Sequence, residues 1–391
     1  MSAMPDSPAN RRPVVKGWCP GALRPMASGD GLVVRVRPPL ALLTPEQASG
    51  LADLAQAQGS GILQLTNRAN LQIRGVTEAQ LSALQDGLVA LGLLDPSLDP
   101  LAEARLNILV APGWSGQGTP ALWTALRQAL AAKDAPRLPG KFGFALDVSG
   151  QPCLQTESAD IRIESAQGRV VVRADGSALG RSTTPGQAVD LVLKMARWFA
   201  FSGGIGPDGR GRMRDHLARG AVLPPALAGD TAPDEAGARP ATTGFDFGLI
   251  EAPALRHLAR NAGGNLHLTP WRGVHLPGAP DLAALQGDPA FLLNPAAPRH
   301  RRFACTGVPG CPQAIGPTRD LGLLPPPGKT LHISGCAKGC AHPGPADLTL
   351  TWTASGIAVI PGGRACDPAA CIVPPAALAA TLKEWTHAAS V

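Results

Sequence analysis

The sequence predicts an α+β fold built on an internal duplication, in which a small α/β unit followed by a larger mixed piece occurs twice. Two pairs of matching segments and the composition predict it. Residues 61–75 read GILQLTNRANLQIRG and residues 264–278 read GNLHLTPWRGVHLPG. Each gives a glycine, a Leu-x-Leu-Thr strand, a short turn, a second alternating strand and a closing glycine. Downstream, Ala159-Asp160-Ile161-x-Ile163 with Gly168 matches Ala346-Asp347-Leu348-x-Leu350 with Gly356 at a similar offset. The chain of 391 residues holds 46 glycines and 40 prolines, aromatics make up 4% and tyrosine is absent. That composition favours turn-rich structure over a helical bundle.

In chain order, residues 47–58 carry an Ala/Leu-rich helical pattern before the first hairpin, and 253–261 carry one before the second. Residues 188–201 (AVDLVLKMARWFAF) set apolar side chains at helical spacing, as a core-packed helix does. Residues 221–243 are rich in Pro, Ala, Gly and Asp and lack periodicity, the pattern of an exposed linker. The expected division is 17–90 and 91–220 for the first small unit and its larger domain, 221–243 for the linker, and 244–290 and 291–391 for the second pair.

The net charge of +6 points to an acidic partner. Arginines occur singly or in pairs (Arg11-Arg12, Arg301-Arg302), and stacking aromatics are scarce, so an acidic small molecule in an Arg-lined cleft fits better than nucleic acid. No run approaches the roughly 18 apolar residues of a membrane span. The first residues lack the apolar stretch of a secretory signal, so a cytoplasmic protein is expected.

Of 8 cysteines, four form Cys305-x5-Cys311 and, further on, Cys336-x3-Cys340, in the settings ACTGVPGC and SGCAKGCAHPGP. Four thiolates converging on one small volume, with glycines that let the backbone approach, are what an iron–sulfur cluster requires. A structural zinc site more often uses a two-residue gap, disulfides suit a secreted chain, and independent thiols would have to share this glycine-rich setting by coincidence.

Cys-x5-Cys…Cys-x3-Cys resembles the cluster motif of the nitrite and sulfite reductase family. TNRANLQIRG (66–75) resembles that family's TNRQ-type strand, and LPGKF (138–142) its PRKFK motif. The resemblance implies a reductase-like fold with two ferredoxin-like half-domains and two larger α/β domains. It also implies a [4Fe–4S] cluster on Cys305, Cys311, Cys336 and Cys340. Residues 17–39, GWCPGALRPMASGDGLVVRVRPP, resemble the opening of one branch of the family, the precorrin-3B synthases. That likeness implies a monooxygenase that hydroxylates precorrin-3A at C20 with γ-lactone formation. It would use O2, NADH-derived electrons passed on by an electron-donor protein, and a mononuclear non-haem iron, with no sirohaem.

Two departures separate this chain from the reductases. Lys141 is kept, but Gly143 stands where the motif has its second Lys, and Arg105-Leu106-Asn107 displaces a family Arg by one residue. A precorrin carries carboxylates that Arg binds bidentately. Arg68 is therefore the leading substrate ligand, followed by Lys141, Arg24 and Arg37, with Arg105 displaced by one residue from the family position. His267, His275, His300, His332 and His342 are available to the mononuclear iron, whose ligands stay unassigned. Cys19, Cys153, Cys366 and Cys371 have no assigned role. A sirohaem-dependent sulfite or nitrite reductase and a non-catalytic tetrapyrrole-binding protein are the competing readings.

Overall fold

Local capping starts the first helix. Thr44 Oγ1 accepts from Gln47 N at 3.1 Å while Gln47 Oε1 accepts from Thr44 N at 3.0 Å, and Pro45 opens the first turn. The computed structural model describes residues 18–382 apart from 115, 117, 149 and 150; Arg11, Arg12, Gly17 and residues 383–391 lie outside the described residues. The first half-domain comprises β1 (Met26–Ser28), β2 (Gly31–Val36), β3 (Leu42–Leu43), α1 (Pro45–Gln58), β4 (Ile62–Leu65), β5 (Leu71–Val76) and α2 (Glu78–Ala90). A larger domain follows with α3 (Pro100–Arg105), β6 (Ile108–Val110), α4 (Gly118–Ala131), β7 (Phe144–Asp147), β8 (Ile161–Ala166), β9 (Arg169–Ala174), β10 (Arg181–Thr183), α5 (Pro185–Phe201) and α6 (Met213–Ala218).

The second half repeats the plan: β11 (Thr243–Gly244), β12 (Leu249–Glu251), α7 (Ala252–Asn261), β13 (Leu266–Leu268), β14 (Gly273–His275) and the short α8 (Leu282–Leu285). Its larger domain holds β15 (Arg302–Ala304), β16 (Leu331–Ser334), β17 (Leu348–Thr353), β18 (Gly356–Pro361) and β19 (Cys371–Val373).

The duplication extends to topology. In both larger domains three strands run parallel and two follow antiparallel: β6-β7-β8-β9-β10 and β15-β16-β17-β18-β19. Both hairpin turns place one residue in the left-handed region, Ala69 at φ +52 and Arg272 at φ +59, at matching repeat positions. The half-domains exchange strands: β12 pairs with β4 of the first half, and β3 pairs with β13 of the second. One core therefore spans both, with Leu43, Leu51, Leu63 and Ile73 packed among Phe245, Leu255, Leu266 and Val274. The larger domains have separate cores, one around Phe142, Phe144 and Phe199 and one around Ile333, Leu350 and Val359.

Residues 221–242 form no helix or strand and are laid on the first larger domain, and residue 243 already belongs to β11. Leu227 is buried, Thr231 bridges to Gly180, and Asp234 accepts from Ser165 Oγ at 2.9 Å and Gln167 N at 2.7 Å.

Candidate active site

Alternation on β2 buries Val34 and Val36 and turns Arg35 and Arg37 to the other face. Arg35, Gln72 and Gln64 are register partners across β2, β5 and β4, so they form a polar row, and Arg35 Nη2 donates to Gln72 Oε1 at 2.7 Å. At one end of this hairpin, Thr66 Oγ1 accepts from Arg68 N at 3.3 Å and Asn70 N at 3.2 Å. The tight turn sends Arg68 across to the first larger domain, where Nη2 donates to the Lys141 carbonyl at 2.8 Å.

Gly143 explains that path. A Cβ there would lie 2.7 Å from Arg68 Nη1 and 3.0 Å from Asn107 Nδ2. The space where the reductase motif has its second Lys is taken by the Arg68 guanidinium. The backbone beneath is pinned by Asp160, which accepts from Gly143 N at 2.9 Å and is paired with Arg212 at 2.9 Å.

Cys19 joins this group. Burial raises its thiol pKa, but Arg35, Arg68 and Lys141 outweigh burial, and the net shift is downward. Burial lowers the pKa of Arg68, which Cys19 and Asp160 partly offset while Arg212 and Arg35 add to it. Lys141 is exposed and lines a cavity of about 700 Å³ with Arg210, Arg212 and Arg219. On the other side of Leu138–Gly140, Arg24 stacks over Trp18 at 4.3 Å and lines a cavity of about 600 Å³ that also admits Cys19, Lys133 and Arg137.

Two arginines expected to bind substrate are committed elsewhere. Arg37 pairs with Glu103 at 2.8 Å, their side chains 11% and 8% exposed, and donates to the Pro20 carbonyl at 2.9 Å. Burial pushes the Arg37 pKa down to about 10, Glu103 opposing. Glu103 also accepts from Ala22 N at 2.7 Å and Leu23 N at 3.0 Å, so the opening CPGALRP stretch is a loop wound round one carboxylate. A Cβ on Gly21 would fall 2.3 Å from Glu103 Oε2, so a larger residue there would have to displace that carboxylate. Arg105 ends α3 rather than lying on a strand, and it caps α4 by donating to Leu130 O at 2.7 Å and Ala132 O at 3.3 Å.

The second centre lies past the carboxyl ends of β15 and β16. Cys305 follows β15 and Cys336 follows β16, so two adjacent parallel strands deliver the two cysteine pairs to one place. Gly335 N donates to Cys305 Sγ at 3.1 Å, and a Cβ on Gly335 would strike Ala314 at 2.8 Å. Burial raises the thiol pKa of Cys336 and of Cys340, Lys338 opposes, and each of the two is raised further by Cys305 and Cys311. Cys340 shows the most surface of the four, yet packing around its sulfur still acts this way. A cationic iron–sulfur core would relieve the cost of ionising Cys336 and Cys340 beside the other sulfurs, so the donor set fits a [4Fe–4S] group. Among the described residues no three His, Cys, Asp or Glu side chains converge as closely as a single ion needs. Four thiolates round a multi-iron core stand further apart than ligands of one ion, so that spacing counts only against a preformed three-ligand mononuclear site. Cys366 and Cys371 are exposed on β19 and its approach, and Cys153 is buried, its pKa pushed up to about 12 by burial.

The cysteine loop docks on the first half-domain, where Gly310 O accepts from Gly29 N at 3.1 Å and Ser28 Oγ at 2.5 Å. Arg74, beside it, holds Asp30 through two 2.8 Å bonds. Arg319 brings a further cation to Cys305; burial, then Arg74, push its pKa down to about 10, and its Nε and Nη2 are buried without a partner. Arg35, Arg212 and Arg319 escaped the sequence reading. Only Arg35 carried a signal, the alternation of LVVRVR.

A precorrin-3B synthase from Sinorhizobium sp is 30% identical over 396 residues, spanning 90% of this chain and 83% of that protein. The chain belongs to the precorrin-3B synthase family. Membership makes it an oxidoreductase enzyme. Residues 24–91 match the nitrite/sulfite reductase ferredoxin-like half domain, which covers β1 to the end of α2. The Mycobacterium tuberculosis NirA protein has the same fold, with a TM-score of 0.66 at 16% identity over 90% of this chain and 79% of that one. This chain thus shares its fold with that protein and, over residues 24–91, carries the reductase-type half domain. No helix among the described residues is long and apolar enough to cross a membrane.

Proposed function

We propose that the chain is a tetrapyrrole monooxygenase that converts precorrin-3A to precorrin-3B. The observation that carries the reading is Gly143 with Arg68. A basic side chain suited to a small oxyanion is missing, and a guanidinium suited to a carboxylate stands in its space.

Arg68 and Lys141 anchor substrate carboxylates, Arg24 adds a cation at the neighbouring cavity, and the Arg35–Gln72–Gln64 row offers hydrogen bonds to the macrocycle face. Arg37 and Arg105 shape the walls. Cys305, Cys311, Cys336 and Cys340 hold a [4Fe–4S] cluster, which when bound supplies electrons one at a time. Gly335 N–H and Arg319 stabilise negative charge on that side. In the overall reaction one oxygen atom of O2 is added at C20 and the other leaves as water, with NADH, through a donor protein, supplying two electrons. The double bond from C20 to the neighbouring ring-A carbon is opened. C20 takes the hydroxyl, the ring-A acetate oxygen bonds to the neighbouring carbon to close the γ-lactone, and the carboxyl proton ends on the hydroxyl.

The test is anaerobically purified chain given precorrin-3A, a reductant and 18O2. A product heavier by one labelled oxygen atom is expected, with labile sulfide present and iron in excess of it by the mononuclear ion. Recovery of stoichiometric sirohaem with sulfite or nitrite reduction would establish the reductase instead. Tight binding without turnover under the same conditions would leave a binding protein.

A further inference from the structure

The turn between β1 and β2 abuts the cysteine loop. Gly29 N donates to the Gly310 carbonyl at 3.1 Å, and a Cβ on Gly29 would overlap the Pro309 carbonyl oxygen, so the approach needs glycine. Asp30, next in the turn, holds Arg74 through two 2.8 Å bonds. Both side chains come up to the residue before Cys311: a Cβ built on Gly310 would lie 3.5 Å from Arg74 Nη2 and 3.6 Å from Asp30 Cγ.

Arg319 stands at the other end of the same loop. Thr318 Oγ1 donates to the Cys305 carbonyl at 2.6 Å, Val308 N donates to the Gly316 carbonyl at 3.3 Å, and a Cβ on Gly307 would meet Thr318 N at 2.9 Å. Residues 316–319 therefore run alongside 305–308. Arg319, Arg74 and Asp30 line one cavity of about 770 Å³ with Thr306 and Gly310. Nε and Nη2 of Arg319 are buried without a partner, whereas Arg74, its side chain 7% exposed, has Asp30. Burial, then Arg74, lower the Arg319 pKa only to about 10, so it is a cation at neutral pH. Of the other carboxylates on this cavity, Asp246 is taken by Arg299 and Arg302, and Asp320 is exposed to water. The cysteine loop thus has two guanidiniums and one carboxylate set against it.

We infer that Arg319 raises the reduction potential of the [4Fe–4S] group and that Asp30 opposes it. Each electron added to a four-thiolate cluster adds negative charge, which a nearby cation stabilises and a nearby carboxylate disfavours. Neither residue is catalytic in this role; they set how readily the cluster accepts an electron. The inference rests on the four-cysteine cluster of the proposed function and needs no substrate.

The test is a mediated redox titration of anaerobically purified, cluster-loaded chain, without substrate, followed by electron paramagnetic resonance of the reduced cluster. Arg319→Gln should shift the reduced-to-oxidised ratio at a fixed ambient potential at least about tenfold toward oxidised, which is about 59 mV in the midpoint for one electron. Arg319→Lys keeps the charge and should stay close to wild type, while Asp30→Asn should move the midpoint upward. Opposite signs mark electrostatics, since a merely disturbed loop would not follow the sign of the charge removed. If Arg319→Gln does not hold its cluster, Asp30→Asn carries the test. A wild-type midpoint in cluster-loaded Arg319→Gln, or a midpoint that does not rise in Asp30→Asn, overturns the inference and leaves the cluster reading intact. Wild-type chain without labile sulfide overturns the cluster reading and this inference together.

Discussion

Arg68→Ala tests the centre of the proposed cleft most directly. In the protein without ligand, Arg68 is half-buried and makes one 2.8 Å bond to the Lys141 carbonyl, so truncation costs stability on the order of 1 kcal/mol. With a polycarboxylate tetrapyrrole in place the loss is larger, because a charge-assisted pair screened by Gly143, Asn107 and Asp160 from bulk water disappears. A desolvated pair of this kind contributes about 2–4 kcal/mol, or roughly 30- to 1,000-fold in Kd. The assay is anaerobic titration of the cluster-loaded variant with precorrin-3A, followed by the macrocycle absorbance, with the cluster spectrum as the control for folding. Arg68→Lys should recover little, because a point charge cannot span both oxygens of a carboxylate. Gly143→Lys offers an independent arm: its Cβ starts 2.7 Å from Nη1, so it must displace the guanidinium and weaken the same binding. Unchanged affinity in folded Arg68→Ala would refute the argument, since the cleft would then hold its ligand without this guanidinium.

Cys336→Ser should lose labile sulfide and the visible cluster absorption, because a hydroxyl is a poor ligand for iron–sulfur centres; an intact spectrum with full sulfide would remove Cys336 from the ligand set. Glu103→Ala should lower the melting temperature strongly, by the equivalent of about 3–5 kcal/mol, as Arg37 is left buried and unpaired and the Pro20–Leu23 loop loses its acceptor. His267 and His332 titrate near 3 and 4 in the folded chain but near 6.5 when unfolded. Both folded values are depressed, so their contribution is complete above about pH 6.5 and falls as pH drops toward the folded values, by up to about 1.4 kcal/mol per unit for each. Chemical denaturation of metal-free protein at pH 7 and 5 should reveal this loss, and His267→Gln should make it smaller.

The fold was legible wherever a local rule decided it. The paired hairpins, the helices before them and the long α5 follow from periodicity and caps, and the second match, around Asp160 and Asp347, falls on the third parallel strand of each larger domain. Long-range pairing was hidden. Nothing in the short runs LL (42–43) and LIE (249–251) announces that each crosses to the other half-domain. At the site, a motif draws attention to Arg68, while nothing in the sequence sets Arg37 and Arg105 apart from it. What separates them is Glu103 and the end of α4, partners more than 20 residues away along the chain. The composition of 221–243 carries no periodicity, and its packing depends on Asp234 meeting Ser165, a contact that no local pattern encodes.

The exchange of β3 and β12 carries a consequence for how the halves could diverge. Each half-domain completes its sheet with a strand from the other, so neither can leave without exposing an unpaired edge and half of a shared core. This is the arrangement of a two-fold dimer with swapped arms whose subunits have been joined into one chain. Within one chain, equivalent surfaces can carry different side chains while the architecture keeps both. One copy of the hairpin face now reads Arg, Gln, Gln and the other His, His, so the chemistry of each face could change without loss of the partner that keeps it folded.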